Sequence, residues 1–259
     1  MVDGFARRGW VRLGPDPSIA AWAKAARPVA EAATRDPALR ARWLDCEGTW
    51  FVGVDVLRND AAGRVGQGPA LPAILRDALA RLTGPVPPLH PAQVSAVWPG
   101  YPRPRAGDSA AAFRYRQARD GAHLDGLLPE GADRRRHLRE PHAFILGLPL
   151  TDATEDAAPL VAWEGSHEVM RRAFAARLGR LPPRDWGEQD VTDSYKAARA
   201  EVFETCRRVP LPGRPGEAVL LHRLMLHGIG PWRAPDGPPR IVAYFRPLLE
   251  DPACWLARP

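Results

Sequence analysis

The sequence predicts a mainly β fold with flanking helices, a sandwich or barrel, and three observations lead there. From Ala111 onward, short apolar runs separated by turn residues recur along the chain. These runs do not alternate with helices, which argues against a doubly wound α/β sheet. The 259 residues, 45% of them hydrophobic, suffice for one large β-rich domain with a real core.

The elements follow in order. Ser18 to about Ala33 carries apolar residues at helical spacing, and Pro28 is expected to break it. Thr49 to Leu57 is rich in β-branched and aromatic residues and reads as a strand. Leu71 to Leu82 returns to helical periodicity and stops at Gly84-Pro85, while Pro85–Pro91 and Pro99–Pro104 read as connections or strand edges. Candidate strands then follow at Phe113–Arg119, Ala122–Asp125, His142–Pro149, Leu160–Trp163, Arg207–Leu211, Glu217–His222 and Arg240–Arg246. Helices are expected over Glu168–Gly179 and Asp190–Glu204. The economical division is one domain over residues 1–259, with a helical and mixed N-terminal flank (1–110) and a β core (111–247).

Composition narrows the class. No run of about 18 apolar residues could span a bilayer. The N-terminus lacks the apolar stretch of a secretory signal. Cys46, Cys206 and Cys254 are scattered, with neither a disulfide framework nor zinc-site spacing, so a cytoplasmic location is expected. The formal charge of +6 raises the question of nucleic acid. Its arginines, however, are dispersed among acids and prolines, and the one dense run, Arg134 to Arg139, is short. No aromatic–basic pattern of a nucleic-acid module accompanies it. A solvated surface is expected, without nucleic-acid or membrane partners, and an anionic small substrate is compatible with it. Oligomeric state is not readable.

The chemistry resides in three places. His123 and Asp125 are two apart, so a strand would turn both side chains to one face and let them converge on one ion. About a hundred residues later an apolar strand runs into His227-Gly228-Ile229-Gly230-Pro231, a histidine followed by an expected glycine turn. His222 competes as the third ligand, but it lies five positions away and would face the other way. Two histidines and one carboxylate leave three positions of an iron open. Arg240, 13 positions after His227, begins a strand where its guanidinium can hold a carboxylate by two parallel hydrogen bonds. If Phe113 to Asp125 were a regular strand, Tyr115 and Gln117 would share the face of His123 and could contact a co-substrate on the ion or the substrate; a bulge near Gly121 would reverse that parity. Tyr244 and Arg246 share the side of Arg240. His167 reads as a helix-capping residue, His90 as exposed, and Leu127–Glu140 as an arginine-rich loop placed like a lid.

These segments resemble the phytanoyl-CoA dioxygenase-like branch of the iron(II)/2-oxoglutarate oxygenases. The resemblance rests on His123-Leu124-Asp125, Gly165-Ser166-His167, Gly216 to Pro231, and Arg240 as the 2-oxoglutarate arginine. It covers roughly residues 111 to 247. Glu164 stands where the family usually has proline, which bears on the local turn and not on the metal site. The resemblance implies a double-stranded β-helix, a jelly-roll or cupin-like barrel. It implies Fe(II), 2-oxoglutarate and O2 as cofactor and co-substrates, and hydroxylation of a small molecule with release of succinate and carbon dioxide. Two alternatives stand beside it: a cupin-like metal enzyme without an oxo acid, and a non-catalytic jelly-roll binding protein.

Overall fold

A computed structural model describes residues 1–257. The N-terminal region holds α1 (Val2–Arg8), β1 (Trp10–Leu13), α2 (Pro17–Arg35), α3 (Pro37–Trp43), β2 (Leu44–Asp45), β3 (Trp50–Phe51), α4 (Ala73–Thr83) and β4 (Gln93–Val97). After these come α5 (Ala110–Ala118), β5 (Leu127–Glu130), β6 (Arg135–Leu138), β7 (Phe144–Pro149), β8 (Leu160–Trp163), α6 (Ser166–Leu178) and α7 (Thr192–Thr205). The chain closes with β9 (Arg208–Leu211), β10 (Ala218–His222), β11 (His227–Ile229) and β12 (Arg240–Phe245).

Two antiparallel sheets form the walls of a double-stranded β-helix. One has seven strands in the order β1-β10-β7-β12-β4-β3-β2, and the other three, β11-β8-β9. Side-chain alternation divides the large sheet cleanly. Ile145, Val219, Leu221, Val242 and Tyr244 point inward to meet Leu160, Ala162 and Leu211 of the small sheet. Phe144, Leu146, Leu220, Ile241, Ala243 and Phe245 point outward onto Ile19, Trp22, Leu75 and Leu79 of α2 and α4. Covered on both faces, β7, β10 and β12 are buried throughout, which is why they read as continuous apolar runs. The large sheet takes β1 to β4 from the first 110 residues. Among the described residues, no helix is long and apolar enough to cross a membrane.

Several local expectations fail for physical reasons. Pro28 lies inside α2 without ending it. An interior proline costs roughly 3 kcal/mol, but Asp16 caps the helix, and Ala26 and Ala30 on either side of Pro28 are both buried in the core. Only Trp50–Phe51 of the expected 49–57 strand pairs as one, because Gly53 turns away at φ 48°. The expected strand over Phe113–Arg119 is the helix α5: the Ser109 hydroxyl accepts from the Ala112 N–H, three alanines open the first turn, and Arg116 pairs with Asp108. Ala122–Asp125 is no strand either, since His123 alone makes a bridge. Leu127–Glu140 contains the paired hairpin β5–β6, and Arg136 N–H and C=O bond to Thr192 Oγ1 and Val191 N–H at the start of α7.

Candidate active site

Backbone pairing brings the two distant motifs together. His123 and His227 exchange both main-chain hydrogen bonds, N to O at 2.9 and 3.1 Å, as directly opposed residues of an antiparallel bridge. Gly228 makes this approach possible. A Cβ built there would lie 2.3 Å from the Asp120 carbonyl oxygen. The glycine therefore serves close passage of the 120–123 segment across β11, and β11 starts at His227 instead of turning there. Arg208 grips the buried Asp120 through both carboxylate oxygens, at 2.6 and 2.9 Å, and holds the segment in place.

The imidazoles are oriented by the same device. His123 Nδ1 lies 3.1 Å from the Gly121 carbonyl and His227 Nδ1 3.0 Å from that of Met225. With Nδ1–H donating in each, both Nε2 lone pairs are left for another partner. They face Asp125: His123 Nε2 is 3.3 Å from Oδ1 and His227 Nε2 3.8 Å from Oδ2. One donor atom from each of the three residues lies within 4.8 Å of the other two. Ligand atoms bound at about 2.1 Å on adjacent positions of one ion stand about 3 Å apart, so a small contraction would close the set. Two histidines and one carboxylate on one side fit ferrous iron, with further positions free.

The charges are set for a metal. Burial pushes His227 down to about 4, so its imidazole is neutral at pH 7. Burial alone would raise Asp125, but Arg246 and the two imidazoles outweigh it and hold the carboxyl well below its usual range. Arg246 Nη1 lies 3.1 Å from Asp125 Oδ2, and its side chain is 14% exposed. The sequence placed Arg246 only on the side of Arg240; in the structure it is a direct partner of Asp125.

Arg240 is 1% exposed inside the barrel. Its Nη2 donates to the Tyr244 hydroxyl at 2.7 Å, whereas Nε and Nη1 are buried with no hydrogen-bond partner among the described residues. A buried guanidinium with no carboxylate is costly unless an anion comes to it. Tyr244 connects it to the cluster, because Tyr244 lines both a small cavity beside Arg240 and a cavity of about 130 Å³ containing His123, Asp125, His227 and Arg246.

The remaining candidates fall elsewhere. Tyr115 lies on α5 and donates from its hydroxyl to the Ala122 carbonyl at 2.8 Å; burial pushes its phenol up to about 12. Gln117 is exposed on the same helix and lines neither the cluster's cavity nor its neighbour. Because α5 is helical, the strand-parity argument for both residues does not hold. His222 ends β10 in the large sheet, not the strand of His227, and its Nδ1 accepts from the Leu224 N–H in a buried setting. His167 does not cap α6, whose N-cap is Gly165; its Nε2–H donates to the Ala6 carbonyl. His90 is half-buried, with Nε2 bonded to the Arg246 carbonyl. Glu164 accepts from Trp10 Nε1 and pairs with Arg207, tying β1 to the small sheet. Gln93 and Ser95, facing the cluster's cavity from β4, were missed. The apolar–polar alternation from Gln93 to Val97 was the available signal.

The pattern of the family described as phytanoyl-CoA dioxygenase (PhyH) matches residues 103–241, a span that includes His123, Asp125, His227 and Arg240. No curated protein matches the sequence. Among solved structures, EctD from S. alaskensis with 2-oxoglutarate and 5-hydroxyectoine is similar at 18% identity. That match covers 96% of this chain and 76% of the other, with a TM-score of 0.50. The non-heme alpha ketoglutarate dependent carbocyclase SnoK from nogalamycin biosynthesis is 16% identical over 95% and 82% of the two chains, with a TM-score of 0.48. At 18% identity the likeness to EctD is one of fold.

Proposed function

This chain belongs to the phytanoyl-CoA dioxygenase family and is an iron- and 2-oxoglutarate-dependent oxygenase; on that footing we propose that it hydroxylates a small molecule while 2-oxoglutarate is converted to succinate and carbon dioxide. The whole chain acts as one oxygenase domain. His123, Asp125 and His227 are the iron ligands, and Arg240 with Tyr244 receives the far carboxylate of 2-oxoglutarate. One observation carries the reading: a three-donor cluster and a buried guanidinium whose Nε and Nη1 have no partner among the described residues share one barrel interior. An oxo acid uses both; a barrel enzyme without one leaves Arg240 unexplained.

Bound iron(II), with 2-oxoglutarate and dioxygen, supplies the oxidising chemistry. The protein's own residues provide the rest. The Gly121 and Met225 carbonyls keep each Nδ1 proton in place, so each Nε2 meets the metal as a neutral donor. Arg246 keeps Asp125 ionised, so metal binding requires no proton release from it. Arg240 keeps its Nε–H and Nη1–H free of acceptors among the described residues, and each of these shares an edge of the guanidinium with Nη2, so that either edge can meet a carboxylate. Ile145 and Leu160 line the same cavity and limit water there. Incubation of the full chain with iron(II), 2-oxoglutarate and oxygen tests the reading. Succinate release that requires both iron and 2-oxoglutarate is expected, and its absence under those conditions contradicts it.

A further inference from the structure

Outside the metal-ligand cluster lies a second cavity of about 510 Å³, a size suited to a small molecule. It shares Trp50, His123 and Ile229 with the first, so the two meet at the half-exposed edge of His123. Five arginines line it, against the single carboxylate of Asp120. Asp120 is already neutralised by Arg208, and among the five, Arg116 is paired with Asp108 and Arg105 with Asp45. Arg134, Arg136 and Arg199 form no ion pair with any carboxylate of the described residues.

The distribution of the basic run makes this more than surface charge. Arg135 and Arg139 of the same hairpin turn outward and are matched by acids: Asp190 and Asp193 for the first, Glu130 and Glu188 for the second. Arg134, in the hairpin turn at φ 51°, and Arg136, on β6, turn to the cavity, where no acid meets them. Arg199 arrives from α7 and lies over the Tyr115 and Tyr195 rings at 4.9 and 5.1 Å. Burial lowers the guanidinium of Arg136, and Arg134 and Arg199 add repulsion. Three unpaired cations converging on one space are stabilised by an anion that enters it.

Resting on the oxygenase reading, we propose that the substrate is an anionic small molecule, its phosphate or carboxylate held by Arg134, Arg136 and Arg199 and its apolar or planar body lying along Trp50 toward His123. The aromatic walls, Trp50, Tyr101, Tyr115 and Tyr195, suit such a body. The anionic end is thereby anchored on the hairpin and α7, away from the metal ligands.

The test is calorimetric titration of the full chain, saturated anaerobically with iron(II) and 2-oxoglutarate, with 2-naphthyl phosphate, 2-naphthoate and the neutral 2-naphthol. At least one anionic probe is expected to bind ten-fold or more tighter than 2-naphthol, weakening as salt rises, and the tighter of the two identifies the anionic group. The double variant Arg134→Ala/Arg199→Ala, at exposed and half-buried positions, is expected to lose that margin. Arg199→Lys keeps part of it, and Arg184→Ala, outside the cavity, keeps all of it. Equal affinity for charged and neutral probes, or an unchanged margin in the double variant, overturns the proposal. Succinate release by the wild type separates the two ideas: release without anion selectivity overturns only the substrate class, whereas no release overturns the oxygenase reading beneath it.

Discussion

The molecule holds two pairs of close imidazoles that do opposite things. His123 and His227 have ring centroids 4.7 Å apart, and His167 and His222 stand 5.0 Å apart. The first pair has a carboxylate between its Nε2 atoms, a carbonyl fixing each Nδ1, and a cavity in front. The second pair has Phe5 beside it, and both rings are buried. His222 Nε2 and His167 Nδ1 lack any hydrogen-bond partner among the described residues. Burial holds both of these histidines neutral, outweighing the neighbouring Glu168 that acts on His167. Proximity of histidines therefore does not define a metal site. The carboxylate, the orientation of each ring and the access do.

The largest effect expected from this contrast is on iron. Asp125→Ala should weaken iron(II) binding at least 100-fold, measured by anaerobic titration, and abolish succinate formation. His222→Phe should leave iron affinity within about two-fold while lowering thermal stability. Equal iron loss in both variants would erase the distinction between the pairs.

Next is the backbone bridge that only the first pair possesses. Gly228→Ala places a methyl against the Asp120 carbonyl, and this backbone can give only by separating His123 from His227. Iron affinity should fall about ten-fold or more with the fold retained by circular dichroism. Unchanged affinity would mean that the bridge does not set the site. Arg240→Lys should keep iron binding but raise the 2-oxoglutarate needed for half-maximal succinate formation roughly 10- to 100-fold, the scale of a lost charge-assisted hydrogen bond.

The two pairs also differ in how much of each was legible beforehand. His123 and Asp125 were found by their spacing of two, although they sit on a loop with one bridge, not on a strand. The sequence expected His222 and His227 to face opposite ways along one strand, whereas the chain changes sheets between them. Strands β7, β8, β10 and β12 were readable because burial on both faces leaves continuous apolar runs. The alternation of Phe113, Tyr115 and Gln117 misled, since the Ser109 cap and the alanines that follow outweigh it. Arg246 could not be assigned from sequence because Asp125 reaches it only through tertiary closure of the barrel, 121 positions apart.

The smallest expected effect is on stability against pH. His167 and His222 have folded values below the unfolded one of about 6.5, so their contribution is fully present above that value. As pH falls below about 6.5 the unfolded chain takes up protons first, and stability of the metal-free protein declines by up to about 1.4 kcal/mol per pH unit for each such histidine. His222→Phe should flatten the fall in melting temperature between pH 6.5 and 5. Asp125, also lowered on folding, stabilises above its unfolded value near 4, and its contribution fades only in stronger acid. An unaltered slope in His222→Phe would show that this pair is not held neutral by burial.

A crystal structure obtained without oxygen, in the presence of iron(II) and 2-oxoglutarate, bears most directly on the central claim. It should show one ion touching the Nε2 atoms of His123 and His227 and a carboxylate oxygen of Asp125, with the far carboxylate of 2-oxoglutarate within hydrogen-bond distance of the Arg240 guanidinium through Nε or Nη1. An ion seated on other side chains, or an oxo acid whose far end lies away from Arg240, would contradict the account.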